Sequence, residues 1–184
     1  DAPAGYSDWI TSVLLLERLR EVNALVGFTR VEPPEESDDA SEGPTRAALC
    51  KDPPDWVPAS QVHGEGIFIR FDEAKIASWV EQATVHRLND RLLAGHSGWR
   101  NARKLNPSEG YPGIRYAMLH TLAHLLIREL ALECGYNAAS IRERIYATQP
   151  DVDEPQAGIL VYTAAADSDG TLGGLVDLGN QKNL

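Results

Sequence analysis

The stretch from Gly113 to Cys134 constrains the fold of this chain more than any other part of the sequence. It ends at Gly135 and places apolar residues around most of a helical circumference: Ile114, Met118, Leu122, Leu125, Leu126, Leu130 and Leu132. A helix that is apolar on nearly all sides lies in the interior of a domain. We therefore expect a central helix here, with Leu122, Leu125 and Leu126 buried.

Two shorter apolar segments have the composition of buried strands. Gly66–Phe71 and Gly158–Thr163 are rich in β-branched and aromatic residues. Runs of this length and composition are typical of strands with at least one buried face. Together with the long apolar helix they predict a mixed α/β fold of the α+β kind, rich in helix, in which the central helix packs on a small sheet.

Periodicity and capping residues predict the remaining elements. A helix begins where a Ser, Asp or Asn side chain can accept from the free backbone N–H groups of the first turn, and it commonly ends at glycine. On these criteria the chain has a helix from Ser7 to Ala24, a strand at Phe28–Val31, a helix from Asp72 to about Leu93 that stops at Gly95, a loop at His96–Pro112 and a short helix at Asn137–Tyr146.

Charge and proline content divide the chain. Between Glu32 and Asp55 there are eight acidic residues and five prolines against two basic residues. Few apolar side chains are present there to offset the entropy cost of ordering the backbone. We expect residues 32–55 to be an acidic, disordered insertion or flexible linker, which separates an N-terminal helix and strand (residues 1–31) from a main domain (residues 56–184).

A local positive charge lies between His86 and Lys104, although the chain as a whole has a formal net charge of −10. An acidic chain is not expected to bind nucleic acid strongly by itself, because such binding depends on neutralising phosphates. The tract has five basic residues against the single acid Asp90, and its tryptophan could stack on a base or sugar. The predicted DNA-binding residues are Arg87, Arg91, Trp99, Arg100, Arg103 and Lys104.

Polar residues form a stripe along the apolar helix. Tyr116, His120, His124 and Arg128 follow one another at four-residue steps, which places them on the same side of a helix. The stripe is either a polar seam against a neighbouring element or a site in which two imidazoles ligate a metal or bind phosphate with the arginine. A zinc-protease motif is excluded, because Thr121 stands where that motif needs glutamate. We expect no metal site in this chain.

A polar, glycine-containing loop follows the Gly158–Thr163 strand. Its residues of interest are Asp167, Asp169, Gly170, Thr171, Gly173 and Gly174. Two carboxylates this close in sequence need a positive or hydrogen-bonding neighbour. The candidates are His120, His124, Arg142 and Arg144. We interpret the loop as a structural or partner-facing element, since loops after strands often carry function and glycines permit close backbone approach.

Two motifs suggested by this loop do not fit. The Asp-x-Asp-Gly-Thr pattern is similar to the nucleophile motif of haloacid-dehalogenase-type phosphotransferases, in which the first Asp ends the strand directly. Here Ala164–Ala166 intervene, and only thirteen residues follow Thr171, whereas that motif opens its domain. An EF-hand loop would need a further Asx ligand and a bidentate glutamate at its end.

Cysteine content and hydropathy bear on location. Cys50 and Cys134 lie far apart, without the spacing of a zinc motif, and offer no disulfide framework. No run reaches the roughly 18 to 20 apolar residues of a membrane-spanning helix, and no signal peptide is evident. We expect a cytoplasmic protein with no membrane contact.

Eight blocks of sequence, taken in order, carry a family resemblance. They are Leu15–Val22, Gly27–Arg30, Gly64–Asp72, Leu119–Leu126, Glu133–Tyr136, Ser140–Tyr146, Gly158–Thr163 and Ser168–Leu175. The order closely resembles the C-terminal region of the DrmB family, the helicase-associated subunits of the bacterial DISARM anti-phage system. The resemblance covers most of the chain apart from the acidic linker.

A second, more distant resemblance concerns zinc. The Tyr162 strand and the Gly173-Gly174 turn are similar to those in the zinc-binding C-terminal domain of MrfA-type helicases, where a cysteine cluster that holds zinc follows the double glycine. This chain ends at Leu184 without such a cluster. We expect a fragment of a longer protein, whose main domain is truncated at its C-terminus and whose zinc, if any, belongs to the full-length protein.

The DrmB resemblance implies a non-catalytic subunit whose partners are a superfamily-2 helicase and, through the complex, DNA. The chain has no Gly-x-x-x-x-Gly-Lys loop, so ATP hydrolysis would belong to the helicase. The alternative is a metal-assisted phosphoester hydrolase that uses His120 and His124 with Asp167 and Asp169.

Overall fold

Four strands and four α-helices make up the part of the chain that the structure describes. This computed structural model describes residues 5–29, 47–52, 54–135, 137–149, 154–164 and 174–179. The strands are β1 (Ile10–Ala24), β2 (Ala59–Phe71), β3 (Ile141–Tyr146) and β4 (Gly158–Ala164), and the helices are α1 (Glu73–Val80), α2 (Ala83–Ala102), α3 (Gly113–Cys134) and α4 (Gly174–Leu178). The strands form one sheet in the order β1-β2-β4-β3. The predicted mixed α+β fold is confirmed.

The chain folds as two units, Asp1–Leu19 with His63–Leu184, and Arg20–Val62. In the second unit, Phe28 and Ala47 form an isolated antiparallel bridge. Of the predicted strand at residues 28–31 the structure describes only residues 28 and 29, and of the predicted linker only residues 47–52, 54 and 55. The division into residues 1–31, 32–55 and 56–184 stays a prediction.

Strand β4 lies at the centre of the described sheet in the first unit. It pairs antiparallel with β2 on one side and with β3 on the other. Its residues Ile159 and Val161 are almost completely buried. Gly66 of β2 is needed where the strands approach, because a Cβ there would lie 2.9 Å from the Val161 carbonyl oxygen. This pairing confirms both predicted strands.

Helix α3 packs on the sheet through one face, and its predicted limits are confirmed. It ends at Gly135, which adopts the left-handed conformation (φ 68°) that favours glycine at a helix C-terminus. The buried face consists of Leu119, Ala123, Ile127 and Ala131, at successive four-residue steps. These residues share one apolar core with Ile159 and Val161 of β4.

The expected burial of Leu125 is wrong. Its side chain is 55% exposed, and that of Leu132 is 71% exposed, while Leu122 and Leu126 are partly buried against the core. The described elements cover α3 on the side that carries Leu119, so leucines on the far side stay accessible. The distribution of apolar residues around α3 therefore predicts more burial of this helix than the described residues provide.

The predicted helix at Ser7–Ala24 is also wrong, because residues 10–24 form strand β1. Within the first unit, Asp72 N–H donates to the Trp9 carbonyl at 2.7 Å, and the Thr11 hydroxyl donates to the Arg70 carbonyl at 3.1 Å. Strand β2 provides hydrogen-bond partners for β1. Such tertiary pairing outweighs the helical periodicity of the local sequence. The β-branched residues Ile10, Thr11 and Val13 suit this conformation.

The single helix predicted from Asp72 to Leu93 is two helices. Asp72 caps α1 as predicted, and its side chain accepts from Lys75 N–H at 2.9 Å. The helix is interrupted at Glu81 and Gln82, and α2 begins after them. Ile76 and Val85 are both buried. Nine residues apart, they would lie on opposite sides of one continuous helix, so the break allows both to enter the core.

Gly95 does not end α2, and the predicted loop at His96–Pro112 begins only after Ala102. Side chains of the last helical turns bind carbonyls of the returning chain. His96 bonds to the Glu109 carbonyl at 2.9 Å, and the Ser97 hydroxyl donates to the Pro107 carbonyl at 2.9 Å. These bonds stabilise the extra turns that the glycine would otherwise weaken.

The predicted helix at Asn137–Tyr146 is a short 3₁₀ turn followed by strand β3. Asn137 is the predicted cap, since its side chain accepts from Ala139 N–H at 3.0 Å. Ile141 and Ile145 then face the core while the intervening arginines are exposed. The period of two is that of a strand, and Glu143 at the middle inward position hides it in the sequence.

A buried glutamate attaches α4 to the sheet. Glu65 of β2 is 1% exposed. Its carboxylate accepts from Leu175 N–H at 2.9 Å and from Val176 N–H at 3.2 Å. These N–H groups belong to the first turn of α4, where they have no partners within the helix. The negative charge of the Glu65 carboxylate also interacts favourably with the helix N-terminus.

No helix in the described residues is both long enough and apolar enough to cross a membrane.

Leu119→Ala is expected to lower the free energy of unfolding by about 2–5 kcal/mol, because it removes a fully buried side chain and leaves a cavity. The matched control Leu125→Ala removes an exposed leucine from the same helix and should cost less than about 0.5 kcal/mol. Urea denaturation of both variants measures the difference. Equal losses would show that the packed face of α3 is assigned incorrectly.

Glu65→Ala is expected to release the first turn of α4, at a cost of roughly 1–3 kcal/mol for the lost charged acceptor. Hydrogen exchange at Leu175 and Val176 should accelerate, whereas Glu129→Ala, at an exposed position of α3, should leave those amides protected. Unchanged exchange in Glu65→Ala would mean that the carboxylate does not hold α4.

Candidate functional site

Two histidines of α3 and one glutamate of β3 converge on one point. His120 Nε2 and His124 Nε2 lie 2.7 Å apart. Glu143 Oε1 lies 3.5 Å from the first of these nitrogens and 3.7 Å from the second. Among the described residues, this is the one group of three His, Cys, Asp or Glu side chains whose ligand atoms are close enough to share a metal ion.

Helix and strand periodicity together position this His/His/Glu cluster. The four-residue step puts both imidazoles one above the other on α3, beside the face that packs on the sheet. On β3, alternation points Glu143 to the same side as Ile141 and Ile145, which are packed against the core. The carboxylate thus replaces an apolar side chain at an inward position and meets the two rings.

Burial differs across the cluster. The Glu143 side chain is 17% exposed, that of His120 is 39% and that of His124 is 64%. Glu143 Oε2 is buried and has no hydrogen-bond partner among the described residues. His120 Nδ1 is 3.4 Å from the Tyr116 hydroxyl. The cluster therefore has a mostly buried carboxylate at its base and an accessible imidazole at its edge.

A cavity of about 520 Å³ adjoins the accessible imidazole. It lies between α3 and the chain around the 3₁₀ turn. Its lining is mainly apolar and includes His124, Arg128, Ala131, Ala138 and Ile141. The Arg128 side chain is 75% exposed, and its nearest ion-pair partner is Glu129 at 3.8 Å. A small molecule or water could reach the cluster from this side.

The predicted polar stripe is only partly brought together. Tyr116, His120 and His124 are in contact, with ring centroids 5.5 and 4.5 Å apart along the series, whereas Arg128 faces the cavity. Sequence reasoning missed Glu143, which lies on a segment predicted to be helical. The signal that could have found it is the alternation Ile-Arg-Glu-Arg-Ile.

The residues predicted to face the Asp167–Gly174 loop lie on two elements, the histidines on α3 and the arginines on β3. Arg142 and Arg144 are exposed residues of β3 on the side opposite Glu143, and the Arg144 guanidinium lies 5.8 Å from the Tyr146 ring centroid. Gly174 is the first residue of α4. The other loop residues of interest, Asp167, Asp169, Gly170, Thr171 and Gly173, lie outside the described residues.

A second candidate surface is a ridge on α2 that we call the basic ridge. It consists of Arg87, Arg91, Gly95, Trp99 and Arg103, at successive four-residue steps that end at the C-cap. All five are exposed. The Arg103 guanidinium lies over the Trp99 ring at 4.1 Å from its centroid, a cation–π contact. At 1.5 Å per residue the ridge is about 24 Å long.

Two of the predicted DNA-binding residues lie off the basic ridge. The Arg100 side chain is 11% exposed, donates to the Asn106 carbonyl and lies 3.8 Å from Glu109. Lys104 is exposed and adopts a left-handed backbone conformation (φ 62°), where the chain leaves the helix. Arg100 therefore supports the loop after α2 and is poorly available for phosphate contact.

Tyr111 attaches the end of that loop to α2. Its hydroxyl donates to Asn89 Oδ1 at 2.8 Å. Burial raises the pKa of this hydroxyl, and the negative charge of Asp90 raises it further. The phenol consequently stays protonated and keeps donating well into the alkaline range.

An apolar cavity of about 590 Å³ lies on the other side of α3 from the His/His/Glu cluster. Met118, Leu122, Leu126 and Leu130 supply its α3 wall, and Trp9, Ile10 and Val13 are among the residues that line it from β1 and the turn before it. Leu122 and Leu126 are two of the three leucines that the sequence predicted to be buried, and Leu125 does not line this cavity.

Comparison with known proteins places this geometry in context. The chain is 35% identical over 184 residues, 99% of its length, to DISARM protein DrmB from Bacillus paralicheniformis, and it spans 31% of the length of that relative. Residues 122–179 match the MrfA Zn-binding domain. The match includes His124 and Glu143, whereas His120 lies just before it.

The matched region does not supply the thiolates of a cysteine-based zinc site. Cys134 is the one cysteine between residues 122 and 179, and Cys50, the other cysteine of the chain, is a free, exposed thiol. Residues 122–179 alone therefore do not form a four-cysteine site, whereas the described residues contain the nitrogen and oxygen donors of the His/His/Glu cluster. Along nearly all of its length the chain is a DrmB-like sequence, similar to the DrmB protein of the DISARM system.

Proposed function

We propose that this chain is part of a non-catalytic, helicase-associated subunit of a bacterial anti-phage defence complex. In this proposal it acts in the cytoplasm and supports DNA engagement by a superfamily-2 helicase partner. Similarity to DISARM protein DrmB supports the defence role. The observation that carries the DNA part of the proposal is the basic ridge on α2.

The ridge has the chemistry of a backbone-binding surface. Three guanidinium groups and one indole are exposed along one helix, and arginines neutralise phosphates while aromatic rings stack on bases with little sequence preference. A length of about 24 Å is enough to follow several phosphates, since each strand of a duplex carries one phosphate per about 3.4 Å of helix axis. Contact of this kind would position DNA without reading its sequence.

The net charge of the chain explains why a partner is part of the proposal. The net charge of −10 disfavours encounter with a polyanion, whereas the positive charge of the ridge attracts phosphates that already lie close to it. A helicase that already holds DNA would bring the phosphates to the ridge. We therefore expect weak DNA binding by the chain alone and a contribution to binding by the complex.

A metal-assisted phosphoester hydrolase is the second candidate function. The observation that favours it is the His/His/Glu cluster beside an open cavity, since catalytic metal sites combine three protein ligands with an open position. The two aspartates of the original hypothesis, Asp167 and Asp169, lie outside the described residues. The non-catalytic proposal expects no phosphodiester hydrolysis by the purified chain with Zn²⁺ or Mn²⁺. Metal-dependent turnover that Asp167→Asn abolishes would overturn it.

Replacing Arg87 and Arg91 with glutamine is expected to weaken DNA binding by the helicase complex in a salt-dependent way. If each arginine contacts one phosphate, the slope of log K against log salt concentration should become shallower by about 1.8 for duplex DNA. Fluorescence anisotropy of a labelled oligonucleotide, titrated at several salt concentrations, measures this slope.

The matched control is Arg18→Gln with Arg20→Gln, which removes the same charge from exposed positions of β1. This control should leave the slope unchanged, because it alters net charge without removing a contact. Identical slopes for the wild type and for the ridge variant would rule out phosphate contact by the ridge.

A further inference from the structure

We propose that His120, His124 and Glu143 bind one divalent metal ion of the zinc class as its three protein ligands. The inference does not depend on the proposed DNA role. It rests on the convergence of the three side chains, on the buried oxygen without a partner and on the chemistry of the donor set.

The distances between the ligand atoms suit a small transition-metal ion. In a tetrahedral zinc site with metal–ligand distances of 2.0–2.1 Å, ligand atoms lie about 3.3 Å from one another. The three separations here are 2.7, 3.5 and 3.7 Å, which scatter around that value. An ion at the centre of this triangle needs only small side-chain adjustments to reach all three atoms.

One oxygen of the cluster has no hydrogen-bond partner among the described residues. The two imidazole nitrogens, 2.7 Å apart, form a hydrogen bond in which one ring donates and the other accepts. Glu143 Oε2 is buried without a hydrogen-bond partner among the described residues. A buried carboxylate is costly unless it is paired or coordinates a metal. A cation bound by both nitrogens and by the carboxylate would compensate the charge of this carboxylate.

The donor set selects the class of metal. Two imidazoles and one carboxylate suit zinc and neighbouring transition metals, whereas magnesium and calcium prefer sites made entirely of oxygen. The Tyr116 hydroxyl beside His120 Nδ1, at 3.4 Å, can fix the ring so that Nε2 faces the metal. Tyr116 is then a positioning residue.

The fourth coordination position opens toward solvent. His124 is the most exposed of the three ligands and also lines the cavity of about 520 Å³. Water can therefore complete the coordination sphere from the cavity side. The ion would tie α3 to β3, two elements that the sheet and core already hold in contact, and so stabilise the folded state when bound.

Metal content measures the proposal directly. The purified chain, stripped with a chelator and reloaded with Zn²⁺ alone, is expected to retain one equivalent by mass spectrometry after desalting. His124→Ala and Glu143→Gln are each expected to lose that equivalent. Tyr116→Phe should retain the site with roughly tenfold weaker affinity.

His86→Ala is the matched control, because His86 also lies on a helix beside a glutamate, with Nε2 3.8 Å from Glu81 Oε2. It should keep the full equivalent. Circular dichroism without metal checks that each variant folds. Equal metal content in the wild type, His124→Ala and Glu143→Gln would overturn the proposal, as would a wild-type chain that retains no zinc.

Cobalt substitution gives a second measurement that needs no variant. Co²⁺ in a four-coordinate site of nitrogen and oxygen ligands absorbs visible light more strongly than Co²⁺ in six-coordinate sites, and it lacks a thiolate charge-transfer band. The proposal expects this spectrum from the wild type. A strong thiolate band would assign the metal to Cys50 or Cys134 and overturn it, and the weak spectrum of hydrated Co²⁺ would do the same.

Discussion

The packing of one face of α3 on strands β3 and β4 is the interaction on which the rest of the described structure depends. Leu119, Ala123 and Ile127 form the buried face, and the small alanine allows close approach of helix and sheet. His120 and His124 each follow a residue of this face, so they lie about 100° around the helix from it. The same packing that builds the core therefore brings both imidazoles to the edge of β3.

At the position of Glu143, the side chain that would best stabilise the core differs from the side chain that could bind a ligand. An apolar side chain at this inward position of β3 would continue the row of Ile141 and Ile145 and would add to the core. A carboxylate there loses hydration, and a mostly buried charge contributes favourably only when opposite charge or hydrogen bonds compensate it. The presence of two imidazoles at this point is why we interpret the cluster as a site and not as a surface contact.

The sequence predicts the elements with strongly apolar composition well. It predicts poorly the elements whose conformation depends on contacts with distant residues. The limits of α3 and the strands at residues 66–71 and 158–163 follow from local composition and from Gly135. Strand β1 does not, because its conformation depends on pairing beside β2, where the residues in contact, Thr11 and Arg70, are 59 positions apart. The break between α1 and α2 likewise reflects the need to bury both Ile76 and Val85, which no local signal records.

The candidate sites were predictable to a similar degree. The four-residue steps reveal both histidines, because these residues share helix α3. The residues of the basic ridge follow from local charge, but their alignment does not, because Trp99 and Arg103 lie in a segment that the sequence predicts to be a loop. The position of Arg100 depends on a bond to the Asn106 carbonyl, and the contribution of Glu143 depends on the register of β3 against β4. Both properties depend on contacts between different segments, so the pattern within one segment does not predict them.

The most direct test of a metal held by His120, His124 and Glu143 is zinc K-edge X-ray absorption on the 184-residue chain loaded with one equivalent of zinc. The expected spectrum has only nitrogen and oxygen neighbours, at about 2.0–2.1 Å, with the outer-shell scattering of two imidazoles. Sulfur neighbours at about 2.3 Å, or a spectrum without imidazole scattering, would contradict it.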